Sequence, residues 1–319
     1  MTIINKYSTS ALMLAFTTGA VGVAHAETDT TASTPYSLPW QLRPVTIGNA
    51  VRADSAVAAF NDDNGNLDLA VTTVLTGSYR LHDNWAPMIR LGFAGNDAPG
   101  AALDGSSFAN PLLGITYARP IGGYKLTLFG ATTIPIGTGG GNDANVRAAK
   151  TNVAAATARP ADEAMFAVNY LTAVVGADFA YVDDGFTAQA EGTLQQSVRV
   201  RGDDNASAID LFRTQAAFGL HFGYFIGSHF SLGADLRYQR WLSHPTVQNP
   251  ATGASVPLSE AKMDTFTVAA GPRVHIAISQ HAWIRPGLSF LRGFDRRGLD
   301  AAFLNNQATA VMLDIPVTF

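Results

Sequence analysis

The chain has 319 residues, no cysteine and a formal net charge of −4, with 47% hydrophobic and only 14% charged residues. The absence of cysteine excludes disulfides and thiolate metal sites, and the acidic balance argues against a nucleic-acid partner. Few charges and a large apolar fraction suit a protein whose outer wall meets lipid.

The N-terminal residues have the pattern of a secretory signal peptide. Lys6 precedes an apolar run from Ala11 to Val23, and Ala24-His25-Ala26 offers an A-x-A cleavage pattern. The run is shorter than the ~18 residues that suggest a membrane-spanning helix, and no later stretch reaches that length. We therefore expect residues 1–26 to be a signal peptide and the protein to be exported.

The next stretch, residues 27–44, contains three prolines and no clear periodicity. We predict that it forms an N-terminal lead-in on the periplasmic side, with Trp40 as an anchor. From residue 45 to residue 319 the chain alternates between long strands, short turns and longer loops, which predicts one further domain.

Twelve segments of this domain show the alternation of polar and apolar side chains that is typical of strands, because successive side chains of a strand point to opposite faces. In chain order, the predicted strands are Val45–Phe60, Leu67–Leu81, Trp85–Ala94, Pro111–Arg119, Tyr124–Ile136, Phe166–Val182, Phe186–Arg201, Leu211–Ile226, Phe230–Leu242, Met263–Ile278, Trp283–Leu291 and Gln307–Phe319. The sixth is apolar on both faces, so its register stays open.

The seventh predicted strand, Phe186–Arg201, shows the alternation most clearly. Every second residue from Thr187 onward is polar, and all the residues between them except Gln196 are apolar or small. Globular strands cluster near ~5–6 residues, whereas a strand that crosses a tilted hydrocarbon layer needs about 9–11 residues plus its rims. We therefore predict a transmembrane β-strand with its polar face inside a barrel and its apolar face in lipid.

The number and spacing of these strands predict an all-β fold: a single twelve-stranded antiparallel transmembrane β-barrel over residues 45–319. An even strand number and an alternation of short turns with longer loops are typical of bacterial outer-membrane barrels. We expect both termini on the periplasmic side, membrane lipid around the wall, and recognition of the terminal Phe319 by the outer-membrane assembly machinery.

Aromatic residues near the strand ends add to the likeness to outer-membrane barrels in general: Trp85, Tyr117, Tyr124, Tyr224 and Tyr238. More narrowly, the segment from Asn110 to Gly139, NPLLGITYARPIGGYKLTLFGATTIPIGTG, resembles the transporter family of the phenol meta-cleavage pathway. In that family a strand, a short turn and a strand ending in Pro-x-Gly recur. The resemblance implies uptake of small, partly hydrophobic molecules, and it brings no site residues with it.

The alternation also predicts which charged side chains face the lumen, and arginines dominate this set. The residues that we expect to shape selectivity are Arg80, Arg90, Glu191, Arg199, Arg213, His221, Asp235 and Arg237. The same alternation predicts that further charged side chains face the lumen: Arg52, Arg201, Arg273, Arg285, Asp54, Asp68 and Asp314. Because arginine rings bias pores toward anions, one hypothesis is a lumen that favours anionic or carboxylated solutes. The alternative is that the arginines pair with Glu191 and Asp235, fill a narrow barrel and conduct nothing.

The longest connection, Gly137–Glu163, opens with glycines and continues as an alanine-rich segment, Ala144–Ala158. One prediction is that this segment forms a short helix, and that the connection folds into the barrel mouth and narrows it. The alternative is a mobile outer loop.

We predict a channel or transporter for passive passage of small molecules, anionic or aromatic. We expect no cofactor and no metal, since the seven histidines are scattered along the chain. A plugged structural or interaction barrel stays open as an alternative, because twelve strands lie between the barrels that side chains fill and those that leave aqueous channels.

An enzyme is the third class. Outer-membrane phospholipases place a His-x-Ser pair on the lipid-facing wall, and this chain has that spacing at His229 and Ser231. The alternation turns the pair toward the lumen, and no third partner is evident. We therefore expect the protein not to be an enzyme.

Overall fold

The structure, a computed structural model, describes residues 36–44, 48–61, 67–97, 105–142, 145–202, 211–243, 246–248, 255–257, 264–280, 282–294 and 308–319. Its wall is a closed sheet of twelve antiparallel strands, in which each strand pairs with the next and the last pairs with the first. The strands are β1 (Ala50–Asn61), β2 (Leu67–Ser78), β3 (Trp85–Asp97), β4 (Leu112–Ile121), β5 (Tyr124–Thr133), β6 (Tyr170–Asp183), β7 (Phe186–Arg199), β8 (Phe212–Ile226), β9 (Phe230–Trp241), β10 (Asp264–Val274), β11 (Gly287–Phe294) and β12 (Ala308–Thr318). The predicted twelve-stranded barrel is confirmed.

Besides these twelve strands, the described residues include five short ones: Gly105–Phe108, Thr246–Gln248, Ser255–Pro257, Ile276–Ala277 and Trp283–Ile284. The first lies in a predicted loop and pairs with β3. The tenth predicted strand is interrupted at His275, since β10 ends at Val274 and Ile276–Ala277 pairs with Trp283–Ile284. The eleventh predicted strand starts at Trp283 as predicted but is interrupted before β11, which starts at Gly287.

Two other predicted strands differ from the structure near their start. β1 begins at Ala50, and Gly48 and Asn49 before it are not in a strand, whereas the predicted start at Val45 lies outside the described residues. β6 begins at Tyr170 and not at Phe166, because Phe166 ends a short helix and is buried. A short helix thus leads into β6, and its apolar residues continue the strand-like pattern.

Alternate residues divide the outer face of the wall from the lumen, as predicted. On the outer face, Leu194, Phe222 and Leu313 are 44%, 45% and 47% exposed. On the inner face, Gln195 and Asp314 are only 4% and 0% exposed. The outer face is therefore an apolar surface that lipid would cover, and the polar side chains are inside.

The two ends of the barrel differ in their connections. At one end, which we call the turn end, Asp184 and Gly185 alone join β6 to β7. Their φ angles of 43° and 78° fit a two-residue hairpin, which needs positive φ at both positions. β1 begins and β12 ends at this turn end, and longer connections lie at the opposite, loop end. In outer-membrane barrels the short turns are periplasmic.

One connection at the loop end is helical. It contains α1 (Val146–Ala158), a 3-10 turn (Pro160–Asp162) and α2 (Glu163–Phe166). Alanine favours helix, and Asn145 caps α1 by accepting hydrogen bonds from the N–H groups of Arg147 and Ala148. The predicted short helix is confirmed. No helix within the described ranges is long and apolar enough to cross a bilayer.

α1 packs against the inner wall of the barrel. Ala158 lies in one buried cluster with inward alanines of three strands: Ala56 and Ala58 of β1, Ala70 of β2 and Ala310 of β12. These small side chains let the helix approach the wall closely. Of the two predictions for this connection, the one that folds it into the barrel mouth is confirmed, and the outer loop is wrong.

Candidate functional site in the barrel lumen

A segment from Tyr36 to Pro44, which we call the N-terminal segment, lies inside the barrel toward the turn end. Residues 36–42 are buried, although the segment forms neither strand nor helix. It belongs to the stretch for which the sequence predicts a periplasmic lead-in. Because its backbone N–H groups have no sheet partners, side chains of the wall must accept their hydrogen bonds.

Asp235 of β9 is the first wall carboxylate that holds the N-terminal segment. Its Oδ2 accepts hydrogen bonds from the backbone N–H groups of Trp40 (2.8 Å) and Gln41 (2.6 Å). Its Oδ1 lies 2.6 Å from Nδ1 of His221 on β8. Hydrogen bonds to an ionised carboxylate are about twice as strong as neutral ones. Asp235 therefore fixes the middle of the segment.

Glu191 of β7 is the second such carboxylate. It accepts hydrogen bonds from the Arg43 backbone N–H (2.8 Å) and from the Arg237 guanidinium (3.0 Å). The Arg43 guanidinium lies 3.3 Å from Glu191 and 3.8 Å from the ring centre of Phe129. Burial lowers the pKa of Arg43, and the Glu191 carboxylate opposes this effect. The end of the N-terminal segment is thus tied to the wall by a buried ion pair.

Glycines on the inner face of the wall make room for the segment. A Cβ atom at Gly219 of β8 would lie 2.9 Å from Cδ1 of Leu42, and one at Gly287 of β11 would collide with the ring of Trp40. The Arg273 guanidinium also lies against this ring, 4.2 Å from the ring centre. A glycine inside a strand is a known sign of close approach by another part of the chain.

Seven charged side chains form one unbroken series of ion pairs across the lumen. Consecutive members are 2.6 to 3.5 Å apart and alternate in sign. In order, they are Arg90, Asp162, Arg159, Asp54, Arg52, Asp314 and Arg273. The series links the helical connection to the strands of the wall on both sides, and it begins and ends with a positive charge.

Arg159 and Asp162, which follow α1, are the members that the sequence patterns do not reveal. Burial alone would raise the pKa of Asp162, but the guanidinium groups of Arg90 and Arg159 outweigh it and hold that pKa well below its usual range. Burial would likewise lower the pKa of Arg159, and the carboxylates of Asp54 and Asp162 raise it instead. Both groups are therefore charged in the folded protein.

Five of the eight predicted selectivity residues are engaged in the lumen. Glu191, Arg237, His221 and Asp235 surround the N-terminal segment, and Arg90 begins the ion-pair series. The pairing of Arg237 with Glu191 agrees with the alternative in which arginines pair inside the barrel. Asp235 has different partners, because it holds backbone N–H groups and His221.

In the described part of the chain, the other three predicted residues contact neither the N-terminal segment nor the ion-pair series. Arg80 is exposed beyond the end of β2, which stops at Ser78, so the alternation no longer fixes its direction. Arg199 ends β7, and its Nε donates to the carbonyl of Arg201 (3.1 Å). The Arg213 guanidinium lies 4.6 Å from the ring centre of Tyr170. Arg199 and Arg213 thus belong to the loop end.

Ser231 does not pair with His229 in the way that the phospholipase-like alternative needs. Its Oγ lies 2.8 Å from Nε2 of His275, and both residues are buried. Nδ1 of His229 lies 2.6 Å from Oγ of Ser228 in the exposed turn. Within the described ranges, no group of three or more His, Asp or Glu side chains is arranged to hold a metal ion.

A cavity of about 740 Å³ lies at the loop end beside α1. Its lining includes the outward Phe93 and the inward Ala94 of β3, together with Phe108, whose ring centre is 5.3 Å from that of Phe93. At Phe93 and Ala94, β3 pairs with β2 on one side and with the short strand Gly105–Phe108 on the other.

No known protein family and no curated protein matches this chain. Among solved structures, the COG4313 outer membrane channel from Pseudomonas putida F1 is 15% identical, with 89% of this chain and 100% of that one covered and a TM-score of 0.52. The NanC porin is 10% identical over 84% of this chain and 98% of that one, with a TM-score of 0.48. The KdgM porin is 7% identical over 84% and 99%, with a TM-score of 0.42. At these identities the likeness concerns the fold, which is that of a bacterial outer-membrane β-barrel.

Proposed function

We propose that this chain is an outer-membrane channel for the passive passage of small molecules, and that the N-terminal segment and the α1 connection fill its lumen in the state described. The apolar outer face and the polar inner face support a place in the membrane. The fold shared with a solved outer-membrane channel agrees with this role.

The observation that carries the proposal is what fills the lumen. In a barrel plugged by its own wall, inward side chains would be large and would interdigitate. In this barrel many inward positions are small, such as Ala56, Ala70, Gly219 and Gly287, and two separate chain segments take up the space. A lumen filled by separable segments opens when they move, which favours a channel over a plugged structural barrel.

The charges of the lumen support anionic solutes. The ion-pair series contains four arginines and three aspartates, so positive charge is in excess along it. Positive side chains in a pore favour anions. The Phe93 and Phe108 rings at the loop-end cavity offer the kind of surface on which an aromatic solute packs.

A liposome-swelling panel tests the proposal. Vesicles that contain the intact chain, or a variant that lacks residues 36–44, are given a neutral sugar or benzoate. We expect the deletion variant to admit solutes faster than the intact chain, and benzoate faster than a sugar of similar size. If neither chain admits any of the solutes, the barrel is a plugged structural protein and the proposal is wrong.

A further inference from the structure

Positive charge is left uncompensated where the ion-pair series reaches the turn end. Its last member, Arg273, shares Asp314 with Arg52, and the two guanidinium groups lie 2.6 and 2.7 Å from the oxygens of that one carboxylate. Charges removed from water are costly unless each is matched by an opposite charge or by hydrogen bonds. Asp54 also lies 3.5 Å from Arg52, but it is shared with Arg159, so the series as a whole has one more arginine than aspartates.

Arg285 adds a further positive charge beside Arg273. It lies between β10 and β11, its N–H donates to the carbonyl of Pro316 (2.9 Å), and its own carbonyl accepts from Arg273 (2.7 Å). Its side chain is partly exposed and lies 5.8 Å from the ring centre of Trp283, and its buried Nε has no hydrogen-bond partner. In the part of the chain that the structure describes, no carboxylate pairs with this guanidinium.

His275 is a buried neighbour of Arg285 and Arg273. Burial, followed by the charges of Arg285 and Arg273, lowers the pKa of His275 to about 4. Its ring is therefore neutral at neutral pH and stays in its hydrogen bond with Ser231. The two arginines thus add to an effect that burial dominates.

We propose that Arg285, with Arg273 behind it, binds a small oxyanion, either a carboxylate or a phosphate, at the turn end of the lumen. A guanidinium presents its N–H donors in a planar fork that matches the oxygens of both groups. The hydrogen bonds of the Arg285 N–H and carbonyl groups fix the backbone from which the fork projects. The site deepens the proposed function, because an anion that crosses the lumen would meet it at one end, but binding itself needs no passage.

Isothermal titration calorimetry tests this site on the refolded full chain in detergent at neutral pH and low salt. Benzoate and inorganic phosphate are the probes, and benzyl alcohol is the neutral control. We expect saturable binding of at least one anion and none of the alcohol. Arg285→Gln is expected to weaken the binding by about tenfold or more, and Arg285→Lys by less, because lysine keeps the charge without the fork. Arg147→Gln, which removes an exposed arginine of α1, should leave the affinity unchanged.

A second measurement keeps the test independent of any loss of folding. The pKa of His275, followed by NMR in the intact chain, should rise from about 4 when the anion is bound, because the anion offsets the positive field. Absence of binding by both anions, or equal losses in Arg285→Gln and Arg147→Gln, overturns the proposal. Binding that appears only after Glu27→Gln and Asp29→Asn also overturns it, since the chain's own acids would then occupy the site. Anion binding without solute flux in the swelling panel would support this binding site and contradict the proposed channel function.

Discussion

Arg159, just after α1, holds Asp54 of β1 through two parallel hydrogen bonds, each 2.7 Å long. The two residues are 105 positions apart in the chain, and both are buried. This bidentate pair ties the helical connection to the inner wall. It is also the centre of the ion-pair series, since Arg159 contacts Asp162 and Asp54 contacts Arg52.

The first prediction concerns this pair. Arg159→Met should lower the free energy of unfolding by about 3–5 kcal/mol, because it leaves Asp54 and Asp162 with uncompensated charge inside the barrel. Urea unfolding in lipid vesicles measures the change. Arg147→Met, on the exposed side of α1, serves as the control and should cost less than about 1 kcal/mol. Equal effects of the two substitutions would show that the pair does not hold the connection.

The second prediction concerns pH. Because the folded protein holds the pKa of Asp162 below its unfolded value of about 3.9, ionisation of Asp162 adds stability above that pH. That contribution is lost as the pH falls below about 4 and the unfolded chain gains the proton first. Unfolding free energies between pH 7 and pH 3 should therefore drop more steeply in the natural chain than in Asp162→Asn. Parallel curves for the two proteins would contradict this.

The third prediction tests how the N-terminal segment is held. The chain has no cysteine, so Ser37→Cys creates a unique thiol at a buried position. We expect this thiol to react slowly with a maleimide, and about tenfold faster or more once Asp235→Asn weakens the bonds from Trp40 and Gln41. Ser228→Cys, in an exposed turn, should react rapidly in both backgrounds. A Ser37→Cys thiol that reacts as rapidly as the exposed one would mean that the segment does not rest in the lumen.

The fourth prediction tests which face meets lipid. Leu313→Arg, near the middle of β12 on the outer face, should destabilise the folded barrel by about 2–4 kcal/mol, because lipid does not solvate the charge. Val317→Arg, on the same face near the end of the strand, should cost about 0–1 kcal/mol. Unfolding titrations in vesicles compare the two. If both substitutions cost the same, depth in the membrane does not govern this face.

Much of the barrel could be predicted from the sequence because strand alternation and turn formation depend on residues that are close together in the chain. In Phe186–Arg201 the alternation alone separates the outward Leu194 from the inward Gln195, and the structure confirms that division. The turn chemistry of Asp184-Gly185 is equally local. The predicted start of the sixth strand at Phe166 is wrong because the apolar residues of a short helix look like strand residues.

The contents of the lumen could not be predicted in the same way. Arg43 and Arg159 lie in segments without periodicity, so no alternation says where their side chains point. Their partners, Glu191 and Asp54, are more than a hundred residues away, and only the closed barrel brings them together. The one local signal was the glycines on the inner face, such as Gly219 and Gly287, which mark where another segment lies against the wall.

The most direct test of the account is the single-channel conductance of the chain without residues 36–44, recorded in a planar bilayer beside the intact chain. An equal-length deletion of residues 27–35 is the control, and the shift in gel mobility on heating shows which proteins are folded. The account predicts stable conductance steps for the 36–44 deletion that are larger or more frequent than those of the other two proteins. A folded 36–44 deletion whose conductance equals that of the intact chain would contradict it.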